Sequence, residues 1–177
     1  VTVIQQTPNQ GKGTALKIGF ERTTGDIVLI QDADLEYVPK DYEALLEPII
    51  RGQADVVYGS RFISNQPRRI LFFHHYLANN LITFLSNLLT NLNLSNVETG
   101  YKVFRCDVVS VIQPKLASRR FGIEIEMTAR IARGEWRVYE VGISYAGRDY
   151  KAGKKITWRD GLAAIWHIFY FNLFRRD

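Results

Sequence analysis

An open α/β sheet is the fold class that this 177-residue chain predicts, and three stretches predict it. "GDIVLI", Gly25 to Ile30, ends in a short apolar run bounded by turn residues, the pattern of a strand buried on both faces of a parallel sheet. "ADVVYGSRF", Ala54 to Phe62, reads as a second strand. Between them Tyr42, Leu45, Leu46 and Ile49 recur at helical spacing from Pro39 to Arg51, and Gly52 closes the helix. Strand, helix and strand make one unit, and ligands of open α/β sheets bind beyond the carboxyl ends of their strands.

The remaining elements follow in order. Thr2 to Gln5 reads as a strand. "TPNQGKGTALKIGFERTTGD" then predicts a capped helix with Leu16 and Phe20 on one side and Gly25 as its stop. The segment from Ile70 to Val97 holds no Asp, Glu, Lys or Arg, yet Asn79, Asn80, Thr83, Ser86, Asn87, Thr90 and Asn91 interrupt it, so it is too polar to span a membrane. Leu77, Leu81, Phe84, Leu85, Leu88 and Leu92 recur at helical spacing. This predicts one or two amphipathic helices whose apolar face packs on the domain, in preference to lying in a membrane interface. "FGIEIEMTARIARG" predicts a helix ending at Gly134, and Tyr139, Val141, Ile143 and Tyr145 alternate as a strand. The tail "WRDGLAAIWHIFYFNLFRRD" begins a last helix. Its aromatic run beside Arg175 and Arg176 suits an interfacial helix as well as docking on the core.

Length, a hydrophobic share of 46% and the lack of repeats or linkers point to a single domain, residues 1–177, and exclude a disordered chain. A net charge of +5 calls for an anionic partner: nucleic acid, a phosphorylated substrate or an acidic membrane. One cysteine, Cys106, excludes an internal disulfide and a cysteine metal cluster, and fits a reducing compartment. The chain opens without Met or a signal peptide, so an N-terminally incomplete domain is expected.

Candidate chemistry gathers at "QDADLEY", where Asp32, Asp34 and Glu36 follow the end of the first buried strand. Carboxylates this close repel unless a cation joins them. Mg2+ or Mn2+, completed by substrate phosphate oxygens, fits so small a donor set, whereas an EF-hand would need Gly where Tyr37 stands. Arg61 in "YGSRF", at the carboxyl end of the next strand, is placed to grip phosphate in bidentate fashion. "GRDYKAGKKITWRDG" gathers Arg148, Lys151, Lys154 and Lys155 among glycines, as a phosphate-covering loop or a solvated basic loop would. Lys12 in "NQGKG" is a further candidate cation, although the spacing is not that of a P-loop. Glu126 and Arg130 read as an i, i+4 surface pair, and Glu124 is left without an assigned role. His74 and His75 lack an acidic or nucleophilic partner nearby, and no Ser or Cys nucleophile stands out.

Taken in order, "NQGKGTAL", "GDIVLIQDADLEY", "VVYGSRF", "ETGYKVFR", "FGIEIEMTARIAR" and "GKKITWRDG" resemble the family 2 glycosyltransferases, in particular the dolichyl- or polyprenyl-phosphate sugar synthase group. The resemblance implies a Rossmann-like nucleotide-diphospho-sugar transferase (GT-A) fold that lacks its N-terminal strand-helix units. It implies inverting, metal-dependent transfer of a hexose from a donor of the GDP-mannose or UDP-glucose type to a polyprenyl or dolichyl phosphate. By the same resemblance Asp32 and Asp34 form the metal and diphosphate motif with Glu36 beside it, and Ala33 meets the donor through its backbone. Arg61 meets phosphate or donor, Asp34 and Arg61 serve the reaction, and Arg148 and Lys154 cover the diphosphate. The expected place is the cytoplasmic face of a membrane. Nucleic acid is disfavoured because Asp32 and Asp34 would repel its phosphates. Two other classes compete: a nucleotidyltransferase making nucleotide sugars, and a basic anion-binding module without catalysis.

Overall fold

The computed structural model of the chain describes residues 2–33, 36–63, 70, 72–147 and 158–175. Four strands form one sheet: β1 (Ile27–Ile30), β2 (Val56–Ser60), β3 (Lys102–Arg105) and β4 (Val138–Gly142), in the order β1-β3-β2-β4. β3 runs antiparallel to both β1 and β2, while β2 and β4 are parallel. The sheet is therefore mixed, where the apolar run of β1 had predicted parallel neighbours. β1, β2 and β4 still share one direction, so the ends of all three and the start of β3 meet at one edge.

Thr2 to Gln5 is exposed and forms no strand. An apolar pattern makes a strand only when a neighbour takes its backbone groups, and among the described residues none pairs with this one. The first helix, α1 (Lys12–Phe20), ends at Glu21, before the expected stop at Gly25. α2 (Tyr42–Ile50) follows a 3-10 turn at Pro39–Asp41 and ends at Gly52, whose positive φ of 69° suits glycine. Next come α3 (Phe73–Thr90), α4 (Cys106–Ile112), α5 (Gly122–Ile131) and α6 (Trp158–Phe169), which continues as a π turn over Tyr170–Phe174.

The sheet has two covered faces. Leu45 and Ile49 of α2 pack with Val57, Val103 and Ile143 on one. On the other, Phe20, Val108, Ile112, Ile125 and Ile168 close over Val28, Ile30, Val56, Tyr58 and Phe104. At the start of β2, buried Asp55 accepts hydrogen bonds from Arg137 Nε and Nη2 and from Arg105 Nη1, tying β2 to β3 and to the residue before β4.

α3 is one helix, and its expected apolar face is only partly buried: Leu85, with Leu92 just past the helix, packs against the core as expected, but the other four of the six residues point outward. Leu77, Leu81, Phe84 and Leu88 are exposed, with Phe84 at 61% and Leu88 at 67%. Ile82, Thr83 and Ser86 face inward and are buried. The physical reason lies in what the inner face must hold. Asn87 pairs with both backbone groups of Leu94, and Thr83 Oγ1 accepts from the Val97 amide, so a segment without secondary structure is bonded by the polar face. Leu162, Trp166, Leu173 and Phe174 of α6 and its π turn are also exposed, and α6 packs beside α3. Among the described residues no helix is long and apolar enough to cross a membrane.

Candidate active site

The edge where β1, β2 and β4 end holds an alternating row of charges. Lys12 Nζ lies 2.6 Å from Asp32 Oδ1 and 2.6 Å from Glu124 Oε1, and Glu124 Oε2 pairs with Lys102 Nζ. Lys102, at the start of β3, is fully buried, and its ammonium also donates to the Thr99 carbonyl at 2.6 Å. Two carboxylates thus face two ammoniums, which is the condition for keeping charges inside a protein. Burial would raise the Glu124 carboxyl, but Lys102 and Lys12 outweigh it and hold it below the ordinary range. Burial would lower Lys12, yet Glu124 and Asp32 raise it above the usual ammonium range.

Local sequence explains how Lys12 reaches this row. A Cβ on Gly11 would stand 2.6 Å from the Arg119 carbonyl oxygen, and one on Gly13 would stand 2.2 Å from that of Ser118. Only glycine on both sides of Lys12 lets the first turn of α1 lie against this backbone, and the Thr14 amide then donates to Arg119 O. The backbone at Ala117 and Ser118 is held in turn by Glu126, whose carboxylate accepts both amides. Glu126 and Arg130 are buried, so their 3.6 Å pair is an internal support where the sequence had predicted a surface pair.

A second group adjoins the first. The Gly100 amide donates to Tyr37 Oη at 2.8 Å, and a Cβ on Gly100 would come within 2.6 Å of Asp32 Oδ2. Tyr145, just past β4, donates its hydroxyl to Glu36 Oε2 at 3.0 Å. Its ring lies 5.0 Å from the Arg61 guanidinium. Arg61 Nε donates to Asn96 Oδ1 at 2.6 Å, while Nη2 donates to Asn79 Oδ1 and to the Glu98 carbonyl. Burial pushes the Glu98 carboxyl up, partly offset by Arg61.

The structure thus brings Asp32, Glu36 and Arg61 to one edge, as the sequence predicted, with Ala33 exposed just beyond Asp32. Asp34, Arg148 and Lys154 lie outside the described residues, as do Lys151 and Lys155. Two details differ from expectation. Asp32 meets Lys12, and the Arg61 guanidinium is engaged by the protein, through Nε and Nη2 to Asn96, Asn79 and the Glu98 carbonyl and by a hydrogen bond with Tyr145. Sequence reasoning missed Lys102, Gly100, Tyr37 and Tyr145. One signal was present: Lys102 interrupts an otherwise apolar stretch, "YKVF", and a lysine in such a strand requires a buried anion.

The model of glycosyl transferase family 2 matches residues 1–112. An undecaprenyl-phosphate mannosyltransferase of Micrococcus luteus is 28% identical in an alignment 185 positions long that covers 94% of this chain and 73% of that protein. A dolichol-phosphate mannosyltransferase of Pyrococcus furiosus is 24% identical over 158 residues, 88% of this chain and 45% of that protein. Among solved structures, glucosyl-3-phosphoglycerate synthase of Mycobacterium tuberculosis superposes with a TM-score of 0.64 at 18% identity, over 93% of this chain and 55% of that one. The same enzyme in complex with Mn2+, UDP-glucose and glycerol 3-phosphate gives 0.63 at 17% identity, over 99% and 56%. The fold is thus of the GT-A kind, and the chain spans about half the length of those solved chains. With the family model covering well over half of its residues, and the charged row standing at the edge where α/β sheets bind their ligands, this chain belongs to glycosyl transferase family 2.

Proposed function

We propose that the chain carries inverting, metal-dependent transfer of a hexose from a nucleotide-diphosphate sugar, of the GDP-mannose or UDP-glucose type, to the phosphate of a polyprenyl or dolichyl lipid. The observation that carries this reading is one adjacency. Arg61, at the sheet edge, is hydrogen-bonded to Asn79 of α3, whose outer face is apolar and exposed. A charged site directly beneath an apolar surface suits an acceptor with an anionic head and an apolar tail. The printed names of the relatives from Micrococcus luteus and Pyrococcus furiosus support the same acceptor class.

The residues suit the chemistry. A lipid phosphate is largely deprotonated near neutral pH, its second pKa being about 6, so it attacks without a general base. Glu124, held ionised by two ammoniums, is a poor proton acceptor and is left to a charge-balancing role. An ammonium has three N–H bonds. Two of those of Lys12 meet Asp32 and Glu124, so the third serves a diphosphate oxygen. Arg61 offers its guanidinium charge to the acceptor phosphate, and Arg148 and Lys154 cover the diphosphate as the resemblance implies.

Carboxylate oxygens fit a hard divalent cation. The missing side chain of Gly100 leaves room beside Asp32 Oδ2 that a Cβ would fill. Asp32 would hold Mg2+ or Mn2+ together with Asp34, with Glu36 beside them. Once bound, the cation supplies Lewis-acid stabilisation of the departing diphosphate. The exposed face of α3 and the aromatic face of α6, flanked by Arg159 and Arg175, suit peripheral attachment to an anionic membrane, at its cytoplasmic face.

Asp34→Asn tests the metal role. Calorimetric titration is expected to show loss of Mn2+-dependent nucleoside diphosphate binding with the fold unchanged, and unaltered metal-dependent binding would contradict it.

A further inference from the structure

The inner face of α3 carries a ladder of amides and hydroxyls one turn apart. Asn79, Thr83 and Asn87 stand at i, i+4 and i+8. Thr83 and Asn87 hold the backbone of Leu94 and Val97, so two rungs serve the segment that leads into Gly100, which lies beside Asp32. The third rung differs. Asn79 bonds no part of that segment; its Oδ1 accepts from Arg61 Nη2 at 3.1 Å, and its Nδ2 donates to the His75 carbonyl one turn back, which fixes the amide.

Arg61 is thus gripped from two directions. Asn96, fully buried, accepts from Nε, and the backbone amides of Ser95 and Asn96 donate to the Glu140 carboxylate of β4. That grip comes from the sheet, whereas Asn79 comes from a helix. The Tyr145 and Phe62 rings lie 5.0 and 5.7 Å from the guanidinium carbon. A guanidinium so held has a defined plane, and that plane sets the direction from which a phosphate can meet it.

We propose that Asn79 is a positioning residue: from α3 it helps to fix the Arg61 guanidinium in the orientation in which it meets the acceptor phosphate. This rests on the acceptor reading above. Removing the amide leaves the charge and the bonds to Asn96 and the Glu98 carbonyl in place but withdraws the hold from α3, so the guanidinium is less closely directed and the loss falls on the acceptor and spares the donor.

The test is steady-state kinetics of the purified protein with a polyprenyl phosphate and the nucleotide sugar that it uses. Asn79→Leu is expected to raise the acceptor KM about tenfold, with donor KM and melting temperature near those of the unaltered protein. Asn79→Asp keeps an oxygen facing Arg61 and is expected to restore most of the loss. In a double-mutant cycle, Asn79→Leu added to Arg61→Lys is expected to cost less than threefold more than Arg61→Lys alone. Equal defects in Asn79→Leu and Asn79→Asp, multiplicative losses in the cycle, or an unchanged acceptor KM would each overturn the proposal. Absence of transfer by the unaltered protein would overturn the acceptor reading itself, and this assignment with it.

Discussion

Lys12 Nζ stands 2.6 Å from both Asp32 Oδ1 and Glu124 Oε1, so one ammonium joins the end of β1 to α5. That bridge neutralises the carboxylates closest to the candidate diphosphate site. Lys12→Met is therefore expected to weaken nucleoside diphosphate binding about tenfold, the value of one charge-assisted hydrogen bond at roughly 1.4 kcal/mol. Calorimetric titration with UDP and GDP measures it, and an unchanged Kd for both would contradict the role given to this lysine.

Glu124→Gln is expected to act first on stability. Lys102 is fully buried and Glu124 is its carboxylate partner, so the substitution strands a charge in the core, at a cost of about 3–5 kcal/mol. Adding Lys102→Met to Glu124→Gln should recover much of that loss. Urea denaturation of the three variants decides it, and a double variant less stable than Glu124→Gln alone would show that the pair is not the cause.

Asp55 sets an acid limb far from the site. Its hydrogen bonds from Arg137, together with the Arg105 charge, lower its carboxyl to about 2. A folded-state value below the unfolded one, near 3.9, stabilises the fold above about pH 4. That stability is lost as pH falls toward 2. Asp55→Asn should thus be less stable by roughly 1–2 kcal/mol at pH 6, with the gap closing toward pH 2. A gap that does not shrink in acid would contradict this origin.

The exposed apolar face of α3 predicts attachment to lipid. Flotation with anionic vesicles at low salt should carry the protein upward, and Leu81→Asp with Phe84→Asp should leave it at the bottom. Both side chains are exposed, so the melting temperature should hardly change. Equal flotation of the variant and the unaltered protein would remove α3 from the contact.

Much of the frame was legible in the sequence because local pattern determines it. The run Ile27 to Ile30 is a strand over the same four residues, and Gly52 ends α2 at a positive φ. β3 carries no strand signal of its own in the sequence, because Lys102 and Arg105 frame only two apolar residues and the anion that buries Lys102 lies on α5. The outward turn of Leu77, Leu81, Phe84 and Leu88 on α3 has a related reason. Periodicity locates two faces of a helix, and which one turns inward depends on what it must hold, here the backbone of Leu94 and Val97. Asp32 was found by its place after β1, while its ion pair joins residues too far apart in the chain for spacing to reveal.

Sugar transfer to lipid phosphate is the most direct test of the account. The purified protein is incubated with Mn2+, a polyprenyl phosphate and a panel of labelled nucleotide-diphosphate hexoses, and the organic extract is counted. The account predicts label in the lipid fraction with one donor, dependent on metal and lost in Asp34→Asn. Label that remains water-soluble with every donor, or reaches lipid equally in Asp34→Asn, would contradict it.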